Sequence, residues 1–308
     1  ADTQASLQNT ATALHGTLAM QNAVVANSLN YDCTLFDKDN ICVSAGGRNT
    51  SVQAGGLNNV SALLIGAYRA TPEVRIGAYL DQNLSVNNGS SPVNLNVGAP
   101  LFGIFGVWSE NQDGTGTEVK LSAAYGSKST TITRQVIGTS EAGVGTTSLN
   151  NTGIQAVAKY GFAVYKDTLV SPYVGIRYSQ GNLGSYTEAS TSAVTTPLAF
   201  DAVNTNATTL MAGVQGKYRV MPEATIQASV GIEADSYFTN GSVTATGING
   251  LTPVAVNPNP IKARPVAMLG GYYDVEKNQR VALTGIYRQE PFQAIGSTTV
   301  LATYTVGF

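Results

Sequence analysis

Charge is scarce in this chain. Lys, Arg, Asp and Glu make up only 12% of its 308 residues, against roughly 25% in an ordinary soluble domain. The formal net charge is −2, which argues against nucleic acid as a partner, because binding it requires a basic face. No segment has the roughly twenty consecutive apolar residues of a transmembrane helix. Transmembrane helices therefore do not account for the low content of charged residues.

Residues that carry out chemistry are also few. His15 is the only histidine, and no Gly-x-Ser-x-Gly motif, glycine-rich phosphate loop or cluster of metal ligands occurs. We therefore predict no catalytic residues, no metal, no cofactor and no enzymatic activity. The two cysteines, Cys33 and Cys42, flank a turn-rich stretch, and such a spacing in an exported chain favours a disulfide.

Residues 1–30 form the one stretch whose pattern is typical of a helix. A narrow apolar stripe follows the helical period and consists of Leu7, Ala11, Leu14, Leu18, Val25 and Leu29. The opposite face is polar and almost uncharged, and includes Asn9, Thr12, His15, Gln21 and Asn22. Such a helix, about 45 Å long at about 1.5 Å per residue, suits a narrow polar channel with protein walls. We therefore predict a pore-spanning helix at 1–30, followed by a linker at 31–40.

After residue 40 the helical period gives way to alternation, and about twelve strands are predicted. Tight turns, such as 71–73 and 113–116, alternate with long connections at 87–99, 138–150, 181–206 and 239–262. The two kinds of connection match the two rims of an outer-membrane barrel, whose periplasmic turns are short and whose external loops are long. We therefore predict an all-β transmembrane barrel over 41–308, with about twelve antiparallel strands and the helix in its pore.

Alternation within the strands predicts which side chains face the lumen. Apolar residues such as Ile226 and Val230 alternate with polar ones such as Gln227 and Glu233, as expected where one face meets lipid and the other water. The predicted pore-lining residues are Arg75, Tyr79, Asp81, Lys159, Arg177, Gln215, Lys217, Arg219, Glu233, Asp235, Arg280 and Arg288. Aromatic residues near strand ends are expected to form the interfacial girdles; these are Tyr68, Trp108, Tyr125, Tyr160, Tyr178 and Tyr218.

The chain ends in Tyr304-Thr305-Val306-Gly307-Phe308. The alternation of Tyr304, Val306 and Phe308 resembles the C-terminal signal by which bacterial outer-membrane proteins are recognised for barrel insertion. Joined to an N-terminal helix and about twelve strands, this ending makes the whole chain resemble the translocator domain of a type V secretion autotransporter. The stretches 77–84, 122–126 and 172–178 also look like strands of such domains.

The resemblance implies a location in the bacterial outer membrane and a role in protein secretion. A passenger polypeptide N-terminal to the helix would cross to the cell surface, while the helix stays in the pore and residues 31–40 form a periplasmic linker. The implied partners are outer-membrane lipid, the barrel-assembly machinery and the chain's own passenger, and we expect a monomer. Some family members cut the passenger within the helix at an asparagine. Asn22 and Asn27 are available here, but the paired asparagines that mark those members are absent.

Three other interpretations are consistent with the pattern. The barrel could be a plain porin with the helix as a plug, in which luminal Lys and Arg side chains would confer a mild anion preference. It could be an outer-membrane barrel enzyme, although a histidine in the predicted helix is poorly placed to act as a base. A secreted β-rich adhesin would show the same alternation in its strands, but it gives no reason for the alternating loop lengths.

Overall fold

The computed structural model describes residues 1–53, 55–289 and 295–308. One α-helix, Asp2–Ser28, precedes twelve long strands. We number these strands β1 to β12 in chain order: Ile41–Val52, Asn58–Arg69, Val74–Asn87, Leu101–Ser109, Gly116–Thr133, Val144–Tyr165, Thr168–Leu183, Val203–Met221, Ala224–Thr239, Ala263–Glu276, Gln279–Gln289 and Gly296–Gly307. The predicted helix followed by twelve strands is confirmed, although the helix ends at Ser28 rather than at Asn30.

The strands form a closed barrel. Each one pairs antiparallel with its neighbours along the chain, and β12 pairs with β1 from Gly307 opposite Cys42 to Ser297 opposite Val52. Lipid offers no water to backbone N–H and C=O groups, so an open sheet edge would leave them unpaired. Closure between the first and last strands removes the edges and pairs the backbone groups within the wall.

The two rims of the barrel differ. The turns at 70–73, 110–115, 166–167, 222–223 and 277–278 are short and share one rim with the start of β1 and the end of β12. The connections at 88–100, 134–143, 184–202 and 240–262 are long and lie at the other rim. Short turns are periplasmic in outer-membrane barrels and long loops are external. The barrel therefore starts and ends on the periplasmic side.

The long loops contain structure that the sequence pattern did not predict. Six short strands lie within them: Val93–Leu95, Tyr186–Thr187, Ala199–Phe200, Ser242–Val243, Ala245–Thr246 and Val254–Ala255. Residues 144–150, expected in a loop, belong to β6 and pair with β5 and β7. This part of β6 reaches beyond the apolar band; apart from Val144, its outward residues Thr146, Ser148 and Asn150 are polar, so it lacks the lipid-facing pattern that marks the other strands.

The outer wall is apolar across its middle. Exposed side chains such as Leu80, Leu121, Ile154, Val174 and Val230 face outward from neighbouring strands. The six aromatic residues expected in the girdles are all exposed on this wall, with Trp108 44% exposed and Tyr178 37% exposed. In water such a surface would be unfavourable, whereas in a bilayer it matches the hydrocarbon and its two interfaces.

The helix lies inside the barrel. All six residues of its apolar stripe are at most 3% exposed. Polar residues on its other face are buried as well, among them Thr10, Thr17, Asn27 and Ser28. The helix contacts β1, β5, β6, β7 and β12 as well as short strands of the long loops. In the part of the chain that the structure describes, no helix is long and apolar enough to span a membrane.

Candidate functional site: the occupied pore

The external end of the helix is held by two long loops. The Asp2 carboxylate accepts hydrogen bonds from the backbone N–H and the hydroxyl of Thr139, each 2.8 Å long. The Gln4 amide exchanges two hydrogen bonds with the backbone of Thr252, each 3.0 Å long. The helix therefore begins between loops 134–143 and 240–262, on the external side of the barrel.

Loops 184–202 and 240–262 close over the upper half of the helix. Their short strands contribute Tyr186, Phe200, Val243 and Ala245 to a buried apolar cluster that also contains helix residues from Leu7 to Met20. We call this covering layer the lid. Apolar burial of this kind stabilises by about 25 cal/mol per Å², so the lid and the helix stabilise each other.

Polar contacts at two levels fasten the lid to loop 134–143. Arg134 and Glu188 form a buried ion pair at 2.7 Å, and Glu188 also accepts a hydrogen bond from Leu198 N–H. Glu141, outside the strands, accepts hydrogen bonds from the Thr195 hydroxyl and the Thr196 N–H. These hydrogen bonds hold the pKa of Glu141 below its ordinary value. The bond from the Thr195 hydroxyl has the larger effect and the bond from the Thr196 N–H the smaller one.

Asn27, near the end of the helix, is held by two strands of the wall. Its side-chain N–H donates to Thr299 Oγ1 at 3.0 Å, and its oxygen accepts from Arg288 Nε at 3.1 Å. Arg288 also pairs with Glu233, and Arg177 donates to the same carboxylate at 2.6 and 3.1 Å. We call Arg177, Glu233 and Arg288 the central charged layer. All three side chains are buried, and a buried carboxylate is tolerated because two guanidinium groups neutralise it.

Another buried ion pair lies across the pore from this layer. Arg48 donates to both oxygens of Asp81, at 2.6 and 2.8 Å, and the Tyr31 hydroxyl donates to the same carboxylate at 3.0 Å. The Tyr79 hydroxyl lies 3.1 Å from Ser28 Oγ, its hydrogen-bond partner at the last helical residue. The wall thus contacts the end of the helix from opposite sides, and these polar contacts fix its position along the pore, while Val25 and Leu29 pack against apolar residues of the wall.

The linker after the helix runs down one side of the periplasmic half. Ser122 Oγ and Lys120 Nζ donate to the carbonyls of Leu29 and Tyr31, and Arg75 pairs with Asp32 at 2.7 Å. The predicted disulfide is present, with the Cα atoms of Cys33 and Cys42 5.7 Å apart. It joins the linker to β1.

The predicted pore-lining residues fall into three groups in the structure. Tyr79 and Arg288 contact the helix, and Asp81, Arg177 and Glu233 support those contacts. Asp235 is also buried, but it pairs with Arg264 at 2.7 Å away from the helix. The remaining residues are partly exposed in the periplasmic half, or, in the case of Arg219, exposed at its rim; these are Arg75, Lys159, Gln215, Lys217, Arg219 and Arg280.

The predicted polar face of the helix is divided by depth. Asn9 and Thr12 are exposed at the external mouth, and His15 is partly buried. Gln21 and Asn22 are buried, and their amide nitrogens have no hydrogen-bond partner among the described residues. At the other end of the chain, Tyr304 and Phe308 are exposed on the outer wall, and Val306 pairs with Val43 of β1.

Several functional contacts were missed by the sequence reasoning. Arg48 was not selected although it follows Ser44 and Gly46 at the inward positions of β1, and that alternation was a usable signal. Arg134 and Glu188 lie in loops, where no periodicity indicates direction. Asn27 was assigned to the polar face of the helix and considered as a cleavage candidate, but its partner was not predicted, because the contact with Arg288 joins residues 261 positions apart.

These features define a class: a twelve-stranded outer-membrane barrel whose pore is occupied by its own N-terminal helix. The model of the autotransporter beta-domain family matches residues 43–288. The chain belongs to this family, and it is the translocator barrel through which a passenger crosses the outer membrane to the cell surface. It is a transport barrel without a catalytic role.

Solved structures show the same fold. The translocator domain of the autotransporter NalP from Neisseria meningitidis superposes with a TM-score of 0.68 at 16% identity, covering 98% of this chain and 99% of that one. The transport unit of the autotransporter AIDA-I from Escherichia coli gives 0.54 at 14% identity, with 98% and 99% covered. The β domain of the Bordetella autotransporter BrkA gives 0.54 at 11% identity, with 88% and 100% covered. No curated protein sequence matches the chain.

Proposed function

We propose that the passenger of this barrel is joined at the external end of the helix, and that the arrangement described here is the closed state after export. One observation carries the proposal: the helix enters from the long-loop rim at Asp2 and ends in the lumen at Ser28. A polypeptide continuing upstream of Asp2 would already lie outside the cell. The helix would then be the last segment to enter the pore, and it would remain there.

The pore-lining residues have distinct roles in this proposal. The central charged layer and Arg48–Asp81 fix the depth at which the helix stops, because Asn27, Ser28 and the adjoining Tyr31 find their partners only at that depth. The lid then seals the external mouth by burying the apolar stripe. Three functional segments follow: a plug at 1–30, a linker at 31–40 and a barrel at 41–308.

The C-terminal residues have a role in barrel assembly in this proposal. Tyr304 and Val306 lie on β12, the strand that closes the barrel against β1, and Phe308 follows this strand directly. An apolar C-terminal strand with two exposed aromatic side chains is suited to recognition by the barrel-assembly machinery before closure. In the closed barrel each strand pairs with two other strands of the same chain. We therefore infer that the unit works as a monomer.

Single-channel conductance in planar bilayers tests the plug. The full chain is compared with a chain lacking residues 1–28, and heat-modifiable migration on gels verifies that both are folded. We expect a small conductance for the full chain and a several-fold larger one after deletion. Equal conductance from two folded barrels would mean that the helix does not close the pore, and the proposal would be abandoned.

A further inference from the structure

Below the central charged layer, the lumen is filled on one side only. Against β2 to β5, the linker covers the wall, and inward residues such as Leu63, Ile65 and Phe105 are buried. Against β7 to β11, the large inward residues at the corresponding depth are partly exposed, although the small Ser171 is buried. The partly exposed residues are Tyr173, Gln215, Lys217, Gln227, Met268 and Tyr272. We call this partly exposed half the vestibule. The charged layer and the end of the helix close it above, so it opens to the periplasm.

Lys217 stands out within the vestibule because it forms no ion pair with the described residues. The charged groups near it are Lys159, Arg280, Glu118 and Asp32. Glu118 already pairs with Lys159 at 3.2 Å, and Asp32 already pairs with Arg75 at 2.7 Å. Arg280 has its own partner in Asp274, at 2.6 Å. The nearby carboxylates are therefore committed elsewhere, and the positive charge of Lys217 is left to be neutralised by something outside the chain.

The rest of the vestibule is not what a small inorganic anion requires. Tight phosphate sites converge several N–H donors or a bidentate arginine on the anion, whereas a lysine alone acts as a point charge. Around Lys217 the two nearby cations, Lys159 and Arg280, already have carboxylate partners. The remaining wall offers two tyrosine rings, two glutamine amides and the flexible side chain of Met268. Such a mixture of aromatic, amide and thioether groups is typical of surfaces that bind polypeptide.

We propose that the vestibule is a binding site for an extended acidic peptide segment that enters from the periplasm, with its carboxylate held by Lys217. The wall strands have their backbone groups paired with each other, so the peptide is bound by side chains and not by strand addition. Its apolar residues contact Tyr173, Met268 and Tyr272. Passenger export does not require this site, so the inference goes beyond the function proposed above.

Fluorescence anisotropy with the full chain in detergent micelles tests the site. The probe is a short fluorescein-labelled peptide of alternating Thr, Val and Asp, and a second peptide carries Lys in place of Asp. We expect the acidic peptide to bind and the basic peptide to bind poorly. Lys217→Gln should weaken binding of the acidic peptide about tenfold, which corresponds to about 1.4 kcal/mol. Lys166→Gln is the matched control, because Lys166 is exposed in the turn between β6 and β7 and its loss should change nothing.

Several results would overturn the inference. Equal binding of the acidic and basic peptides would remove the role of charge, and equal weakening by both lysine variants would remove the role of Lys217. Complete displacement by millimolar inorganic phosphate would indicate a general anion site. Absence of binding in the unchanged chain would reject the site outright. A surface-display assay separates the two proposals. A passenger fused to the Lys217→Gln barrel should be exported normally, although this barrel no longer binds the acidic peptide.

Discussion

Asn27 joins the helix to the wall through both polar atoms of its side-chain amide. Its amide acts as donor to β12 and as acceptor from β11, so both of its functions are used by residues far along the chain. Removing the side chain leaves Arg288 Nε without that acceptor inside the barrel. A buried unsatisfied donor costs about 1–3 kcal/mol, which is large compared with the one hydrogen bond that Asn9 makes at the exposed mouth.

We expect Asn27→Ala to loosen the helix without unfolding the barrel. A loss of about 1.4 kcal/mol would raise the open probability of the pore about tenfold. Single-channel recording of opening events in planar bilayers measures this directly. Asn9→Ala serves as the control, and an open probability no higher for Asn27→Ala than for the control would show that the asparagine does not retain the helix.

The barrel wall leaves space for the end of the helix at Gly153 of β6. A Cβ atom added there would lie 2.6 Å from Val25 Cγ1 and 3.0 Å from Leu29 Cδ1. Both distances are shorter than ordinary contact, so a larger residue must displace the Val25 and Leu29 side chains and weaken the packing of the helix end against the wall. Gly66 of β2 is a matched position, because nothing lies within 4 Å of the Cβ that would be added.

Gly153→Val should therefore open the pore while Gly66→Val should leave it closed. Overpacking costs about 1–3 kcal/mol, and at about 1.4 kcal/mol per factor of ten the conductance events should become at least several-fold more frequent. Both variants are assayed by ion conductance and by heat-modifiable migration. Similar behaviour of the two folded variants would contradict the close fit of helix and wall at this point.

The elements themselves were largely predictable from the chain. Turn chemistry and alternation indicated twelve strands and two unequal rims, and a single apolar stripe indicated one helix, because these signals depend on neighbouring residues. The short strands of the lid gave no such signal: Phe200 is buried through contacts with Tyr186 and with the helix. The division of the lumen into a filled half and a vestibule was equally hidden, since it depends on the path of the linker.

The last strand closes the barrel, and Phe308, which follows that strand directly, takes part in the closure. Its N–H donates to the Ile41 carbonyl, and its own carbonyl accepts from the N–H groups of Asp37 and Ile41. The ring is exposed on the outer wall. The backbone of this residue thus joins both ends of the barrel, while its side chain makes no part of that closure.

Phe308→Ser should reduce the amount of assembled barrel several-fold, while backbone pairing in the barrels that do form remains possible. Heat-modifiable migration in outer-membrane fractions measures the assembled fraction. Phe162→Ser is the control, since Phe162 is an exposed phenylalanine of similar exposure on β6 and lies outside the C-terminal strand. Equal assembly of the two variants would refute a signal at the C-terminus.

The disulfide also decides where mechanical load enters the barrel. A pull on an external passenger acts on the helix along the barrel axis and reaches the wall through the linker. The bond between Cys33 and Cys42 bypasses the intervening residues and delivers that load to β1 near its periplasmic end. Because β1 pairs along its length with both β2 and β12, tension along the strand shears many hydrogen bonds at once instead of peeling them singly. The anchor is therefore built to resist drag on a surface-exposed protein.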